Sequence, residues 1–306
     1  MSSKNYFTFG HSVLLCGLMT LLTLALHAGP VAVPNASFES PLAPRDSLYA
    51  IPVLAEWQIT PPPKGYDSST NGTWEFNFGT FYNVPFPGYF IDNADGEQAA
   101  FLFAVPDAGL FQDYNSSPGH AFDATFEVGN AYDLTVGVIA SLNMTPGATL
   151  QLGLYYRDAL SNVVLVATTS VTHSVETFPS NTHLVDFQVH LPVVQTGDPW
   201  AGQKIGIQIL STIGSDQNLS YWDLDNVRLV KTPAPTLLNS AFTTNGFTFT
   251  VNSEPGQTVE MFTTTNLLTV ASNWTSLGVF TNFTGTTNFS DSITNAGQRF
   301  YRAQAR

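Results

Sequence analysis

The sequence predicts an all-β protein, in which a jelly-roll β-sandwich is followed by a smaller immunoglobulin- or fibronectin-like β-sandwich. Short apolar runs with period-2 alternation recur along the chain, and Gly, Pro, Asn and Asp separate them, as expected for strands joined by turns. After the first 28 residues, no segment shows the sustained 3.6-residue period of an amphipathic helix. Only 11% of the 306 residues are charged, whereas 13% are aromatic, a composition common in extracellular β-proteins. These features favour antiparallel sandwiches over a parallel α/β sheet.

The first element is a predicted signal peptide over residues 1–28. Lys4 precedes an apolar run at residues 12–26, which has the length of a signal-peptide core and is shorter than the roughly 20 residues that span a bilayer. Ala28 is small, so we expect cleavage after it; the alternative is an uncleaved anchor. We therefore expect a secreted or cell-surface protein whose mature form has no membrane span. Cys16 is the one cysteine of the sequence, so disulfides and thiolate catalysis are excluded from the mature chain.

Residues 31–230 form the first predicted domain. Two acidic motifs, residues 34–39 and 221–229, open and close it; both are interpreted as strands, and both carry acidic residues among apolar and aromatic ones. Residues 60–88 are rich in Pro, Gly and aromatics and are predicted to form a long irregular loop, a common place for functional residues. The other strand candidates are residues 97–103, 122–128, 132–140, 149–156, 163–168, 184–191 and 204–210.

The second predicted domain covers residues 236–306 and follows a linker at residues 231–235. Pro233 and Pro235 are expected to stiffen this linker and to prevent strand pairing. Six or seven short strands in about 70 residues fit an immunoglobulin- or fibronectin-like sandwich. The strand candidates are residues 247–251, 259–262, 274–280, 287–292 and 299–302.

The net charge of −13 indicates which partners the chain does not take. Nucleic acids and anionic lipid surfaces need clustered Lys and Arg, so neither partner is expected. An acidic surface suits cation binding instead. If the first and last strands of the sandwich are neighbours, Glu39 and Asp225 can share a calcium ion, whose ligands are oxygen atoms; alternatively, both are solvent-facing acids. Asp223 lies on the same face of the extended strand as Asp225, so it is a candidate for supporting the metal ligands or for lining a pocket.

The aromatic loop provides the candidate ligand-binding residues Trp74, Glu75, Phe76 and Tyr82. Flat rings pack against the C–H faces of pyranose sugars, and carboxylates bond to their hydroxyl groups. The alternative is that these rings cover the core beneath the loop, since aromatic side chains serve packing more often than binding. No Gly-x-Ser-x-Gly elbow, phosphate-binding loop or histidine spacing of a metal site occurs in the sequence.

Several motifs, in order along residues 31–230, resemble those of the galactose-binding-like jelly-roll modules, which include the carbohydrate-binding modules of bacterial glycosidases. They are residues 35–39, Trp57, residues 95–102 and residues 225–229. The resemblance implies a structural calcium ion between the first and last strands, with Glu39 and Asp225 among its ligands. The motif order is also similar to that of the cyanobacterial cyclases that act on isonitrile-bearing indole terpenoids. Those enzymes bind calcium and use an aromatic pocket with one acidic residue, which implies Trp74 and Asp223 here.

The C-terminal unit resembles modules at the ends of exported proteins in Verrucomicrobia-type bacteria, through segments such as residues 273–275 and 298–303. No activity follows from that likeness. The preferred function is a secreted, non-catalytic glycan-binding protein stabilised by calcium, with extracellular polysaccharide as its partner. One alternative is a cyclase-like or hydrolytic enzyme with Asp223 as its acid, and another is a structural or adhesive protein of the cell envelope.

Overall fold

The computed structural model describes residues 27–45, 51–84, 90–215, 220–244, 246–292 and 298–306. Except for its last two residues, the predicted signal peptide lies outside the described residues. Helical structure within these ranges is limited to α1 (Ser68–Asn71) and two 3₁₀ helices (Trp74–Asn77 and Ala271–Asn273). No described helix is long and apolar enough to cross a membrane. The described strands are β1 (Gly29–Val31), β2 (Gln58–Ile59), β3 (Phe78–Tyr82), β4 (Gln98–Phe103), β5 (Gly109–Gln112), β6 (Asn130–Ala140), β7 (Thr149–Arg157), β8 (Val163–Thr172), β9 (Val185–Leu191), β10 (Gly206–Ser211), β11 (Tyr221–Pro233), β12 (Thr236–Thr243), β13 (Gly246–Asn252), β14 (Gln257–Thr264), β15 (Thr275–Asn282), β16 (Thr286–Asp291) and β17 (Phe300–Ala305).

Two antiparallel sheets form the first sandwich. The strands β3, β4, β11, β6 and β9 lie side by side in this order, and β1 also pairs with β11, which makes a six-stranded sheet. The second sheet has five strands in the order β2, β5, β10, β7 and β8. The last strand of the sandwich, β11, therefore lies at the centre of its sheet between β4 and β6, and its side chains face neighbours on both sides.

Alternating apolar side chains fill the space between the two sheets. Leu134 and Val136 of β6, Leu152 and Leu154 of β7 and Trp222 of β11 are fully buried in one shared core. Full burial of each such side chain stabilises the fold by about 1.5–3 kcal/mol, so the alternation determines which face of each strand turns inward. We call the opposite face of the six-stranded sheet, which is turned away from the five-stranded sheet, the outer face.

After β11, the described strands form two three-stranded sheets with a core of their own. Their orders are β12-β13-β16 and β15-β14-β17. Phe249 and Val251 of β13 and Val259 and Met261 of β14 make up that core. The all-β sandwich prediction is confirmed, while the division of the chain into domains at residues 31–230 and 236–306 stays a prediction.

The structure differs from the sequence prediction at the first acidic motif. Residues 34–37 form a turn rather than a strand, and Asn35 and Phe38 adopt positive φ angles of 47° and 55°. Asn35 Oδ1 accepts a hydrogen bond from the Ser40 N–H at 3.0 Å, and its amide donates to the Ser40 carbonyl at 2.7 Å. The asparagine side chain thus supplies the bonds that a neighbouring strand would otherwise make.

Three further segments also differ from their predictions. Residues 122–128 form no strand: they make only an isolated bridge, between Thr125 and Lys204, and a few backbone hydrogen bonds to residues 202–205. The predicted irregular loop at residues 60–88 contains β3, which pairs with β4. The strand β11 continues into the predicted linker as far as Pro233, which pairs with Asn130. Proline is tolerated at this end of the strand, where its missing N–H interrupts no continuing ladder.

Candidate functional site

The outer face of the six-stranded sheet carries an aspartate among apolar side chains. In β11, Trp222 and Leu224 point into the core, so Asp223 between them points to the outer face. The register pairs Asp223 with Phe101 of β4 and with Ile139 of β6. Side chains that are directly opposite on antiparallel strands have Cβ atoms about 4.5–5.5 Å apart. Asp223 is therefore flanked on both sides by apolar groups.

Aromatic rings extend this apolar surface along the sheet. The Phe101 and Phe103 rings meet edge to face with centroids 5.7 Å apart, and Phe103 meets Tyr221 in the same way at 5.9 Å. On β3, a Cβ atom added to Gly79 would lie 2.6 Å from the Phe101 ring, so that ring lies directly over the glycine. Only a residue without a side chain leaves room for the ring there. We call the three rings, together with Ile139 and Asp223, the Asp223 site.

The carboxyl group of Asp223 has no complete set of hydrogen-bond partners. The residue keeps some exposure, but its Oδ1 atom is buried and has no partner among the described residues. Burial raises the pKa of Asp223 to about 8, because surroundings of low polarity penalise the charged form. At neutral pH the carboxyl group therefore holds its proton, which it can donate to a bound molecule.

A second group of carboxylates lies further along the same strand. Asp225 is fully buried, and its carboxylate accepts the backbone N–H groups of Asp95 and Asn226, both at 2.7 Å. Glu39 Oε1 accepts the backbone N–H of Glu97 at 2.9 Å. The two acidic motifs therefore meet at the turn that precedes β4.

This group of carboxylates has no matching positive charge. Burial raises the pKa of Asp225 to about 7; the charges of Asp95 and Glu39 add to the increase, and the two backbone hydrogen bonds oppose it. Within the described residues, no Lys, Arg or His forms an ion pair with the carboxylates of Glu39, Asp95 or Asp225. The same residues include no group of three or more His, Cys, Asp or Glu that could hold a metal ion. Backbone carbonyls would have to complete a calcium shell, which takes six to eight oxygen atoms.

The structure separates the four residues predicted to form a sugar platform. Trp74 is buried in the core, where its ring packs edge to face against Phe78 at 5.6 Å, so it does not present an open ring face to solvent. Glu75 is exposed and points to a cleft on the other sheet. Phe76 is 61% exposed. The guanidinium carbon of Arg45 lies over the Tyr82 ring, 5.2 Å from its centroid.

The aromatic part of the Asp223 site is what sequence reasoning missed. The resemblance to cyclases pointed to Trp74 as the aromatic partner of Asp223, whereas Phe101, Phe103 and Tyr221 lie beside it. A signal was present in β4, where apolar residues occupy both faces of the strand. A strand with one face in water alternates with polar residues instead, so the excess of apolar residues marks a covered or ligand-binding surface.

Comparison with known proteins identifies the family. The family model named HpiC1-like, described as HpiC1 cyclase, matches residues 29–230. The chain belongs to this cyclase family. The matched residues include the whole Asp223 site and both sheets of the first sandwich, apart from the end of β11 beyond residue 230. No curated protein sequence matches the chain.

Solved structures of cyclases are similar to the first sandwich. A cyclase from Fischerella sp. TAU is 23% identical, covers 68% of this chain and 100% of that chain, and gives a TM-score of 0.50. A second structure is a Stig cyclase from Fischerella sp. TAU in complex with (3Z)-3-(1-methyl-2-pyrrolidinylidene)-3H-indole. It is 21% identical, and the similarity covers 67% of this chain and 98% of that chain, with a TM-score of 0.47. A CBM22-1 xylan-binding domain from Paenibacillus barcinonensis is 12% identical. The similarity covers 57% of this chain and 85% of that chain, with a TM-score of 0.33. The first of these similarities shows the fold.

Proposed function

We propose that the chain is a cyclase that closes a ring in an apolar substrate after proton donation from Asp223. One observation carries the proposal: the buried Oδ1 atom of Asp223 has no partner among the described residues and stands between Phe101 and Ile139. The raised pKa of Asp223 supports it, because the group then holds a proton at neutral pH. Membership of the HpiC1-like cyclase family supports it independently.

Ring closure by this route needs no second reactant. Asp223 donates its proton to a carbon–carbon double bond of the substrate, and the π electrons of another part of the substrate attack the cation that forms, which makes the new bond. Loss of a C–H proton from the resulting cation then returns a proton to the Asp223 carboxylate. The reaction is an isomerisation, and its atoms balance.

The aromatic rings have a defined task in this mechanism. The faces of Phe101, Phe103 and Tyr221 attract the positive charge on the substrate by cation–π interactions, which contribute about 0.5–2 kcal/mol each. An apolar surface also keeps water from capturing the cation. We propose a substrate with an indole ring, the class that the cyclase resemblance implies, because a flat apolar ring system fits such a surface.

Calcium is proposed as a structural ion rather than as a participant in the chemistry. Glu39 and Asp225 would hold it, and its positive charge would balance the three carboxylates that converge beside β11. The residues fit the ion in charge and in their oxygen donors. Bound there, the ion would fasten the turn at residues 34–37 to the strand that carries Asp223.

Two other sequence expectations remain proposals. We propose export of the chain, which the apolar run at residues 12–26 supports. Glycan binding stays a prediction. Because Trp74 is buried, Phe76 and Tyr82 are the predicted platform rings that remain for stacking on a sugar.

The proposal is tested by the turnover of Asp223→Asn. An indole-terpenoid isonitrile is incubated with the wild type, with Asp223→Asn and with the control Asp186→Asn, which changes an exposed aspartate on β9 of the same sheet. We expect the rate of product formation by Asp223→Asn to fall about 100-fold or more, with substrate affinity almost unchanged and with Asp186→Asn like the wild type. Equal rates for the wild type and Asp223→Asn would remove Asp223 from the role of acid.

A further inference from the structure

A buried ionic cluster lies on the other side of the sandwich, where β5, β7 and β10 of the five-stranded sheet meet. Asp113, which is 4% exposed, accepts hydrogen bonds from His120 Nδ1, from Arg157 Nε and from the Tyr155 hydroxyl at 2.9 Å. Burial acts to raise the pKa of Asp113, but these three donors outweigh it and hold the pKa below its ordinary value. Asp113 is therefore a carboxylate at neutral pH.

The ionised state of Asp113 fixes the proton of His120. A carboxylate only accepts hydrogen bonds, so the Nδ1 atom of His120 carries a hydrogen. In the neutral imidazole, Nε2 is then left as a hydrogen-bond acceptor. No described residue bonds Nε2 of His120, and the ring lines a cleft with a volume of about 480 Å³.

Acceptor atoms of three side chains face this cleft when the His120 ring is neutral. Besides His120, they are the exposed carboxylate of Glu75 and the amide of Gln58, whose Oε1 atom is buried with no partner among the described residues. One N–H of the Gln58 amide donates to the Glu56 carbonyl at 3.3 Å, and the Trp57 indole N–H donates to the Asn35 carbonyl at 3.0 Å.

Apolar side chains form the rest of the wall, and one of them already binds a cation. Trp57, Ile59 and Phe111 line the cleft. The guanidinium carbon of Arg157 lies 5.5 Å from the centroid of the Phe111 ring, which shows that this ring interacts with positive charge. The cleft thus combines an apolar wall with a carboxylate and an unpartnered amide oxygen, beside the His120 ring.

We propose that this cleft binds an organic ammonium ion, a protonated amine attached to a small apolar group. An ammonium group carries only donors and a positive charge, so it matches a cleft that combines the carboxylate of Glu75 with the unpartnered Oε1 atom of Gln58. A sugar hydroxyl carries no charge, so it gains less from the Glu75 carboxylate than an ammonium group does. A bound metal ion is not favoured, because the described residues include no group of three or more potential metal-ligating side chains.

The test is calorimetric titration of the full protein with benzylamine at pH 7.5, with benzyl alcohol as the neutral probe of the same shape. We expect saturable binding of benzylamine, about tenfold tighter than that of benzyl alcohol, because only the ammonium group forms charge-assisted bonds. Glu75→Gln should weaken benzylamine binding roughly two- to fivefold, and Gln58→Met should weaken it about fivefold. The control Glu176→Gln, an identical change of another exposed glutamate, should leave it unchanged.

The two variants differ in a way that separates binding from folding. Glu75 is exposed, so Glu75→Gln should keep the wild-type melting temperature. Gln58→Met removes a buried acceptor that lacks a partner in the described structure, so it should melt no lower than the wild type while it binds more weakly. Equal affinity for the two probes, no saturable binding, or unchanged benzylamine affinity in both variants would overturn the proposal; tighter binding of methyl glucoside than of benzylamine would overturn the ligand class.

Discussion

Two aspartates with buried carboxyl oxygen atoms show how the neighbouring groups determine whether a carboxyl group is charged. Asp113 receives three hydrogen bonds, one of them from a cationic arginine, and its pKa is lowered. Asp223 has an Oδ1 atom without a partner in the described structure, and burial alone raises its pKa. The first residue therefore acts as a fixed negative charge that orients its neighbours, whereas the second is suited to proton donation.

The role of Asp113 predicts a pH-dependent stability effect. Asp113→Asn should lower the free energy of unfolding at pH 7 by roughly 2–3 kcal/mol, because Arg157 loses its counter-charge in a partly buried cluster. The pKa of Asp113 is lower in the folded protein than in the unfolded chain. Its contribution to the free energy of unfolding is therefore present above about pH 4 and is lost as the pH falls through the folded pKa.

Urea unfolding of the wild type and Asp113→Asn at pH 7 and at pH 3 measures this effect. The difference between the two proteins should shrink at pH 3, and Asp186→Asn, which changes an exposed aspartate, should stay close to the wild type at both values. A difference of the same size at pH 7 and pH 3 would show that Asp113 does not stabilise the fold through its charge.

At the scale of elements, β11 joins the two acidic groups that matter most. Its alternation places Asp223 and Asp225 on the outer face, and the register shifts between Asp225 and Arg228, where Asn226 has a φ angle of 53°. The alternation was readable from the sequence, and so was the approach of the two acidic motifs. The turn at residues 34–37 was missed although Pro34 and Asn35 are turn-forming residues, and the positive φ angle of the adjacent Phe38 is rare for a bulky residue.

This junction predicts that calcium stabilises the protein. Saturating calcium, at about 100 times its dissociation constant, should raise the free energy of unfolding by about 2.7 kcal/mol, and EDTA should reverse the change. Asp225→Asn should abolish the calcium effect, because it removes one of the two proposed carboxylate ligands. Thermal melting with and without calcium, together with metal analysis of the purified protein, checks this.

The matched control for calcium is again Asp186→Asn, which should respond to calcium like the wild type. A wild-type melting temperature that is the same in calcium and in EDTA, combined with no bound calcium, would contradict the proposed ion. The Asp223 mechanism would not fall with it, since no step of the chemistry passes through the metal.

At the scale of the whole molecule, one core supports two different surfaces. Asp223 lies on the outer face of the six-stranded sheet, and the cleft at His120 lies against the five-stranded sheet. The sequence predicted the sandwich, because buried alternation is a local signal. It did not predict which rings surround Asp223, because that depends on the order β3-β4-β11-β6 in the sheet, and strand order is not encoded in any single strand.

The most direct test of the central claim is a crystal structure of the protein with an indole-terpenoid isonitrile substrate or its cyclised product. We predict that the indole ring lies against Phe101 and Tyr221 and that an atom which gains the proton lies within about 3.2 Å of Asp223 Oδ1. A ligand bound only at another surface, with the outer face empty in crystals of catalytically active protein, would contradict the assignment of the Asp223 site.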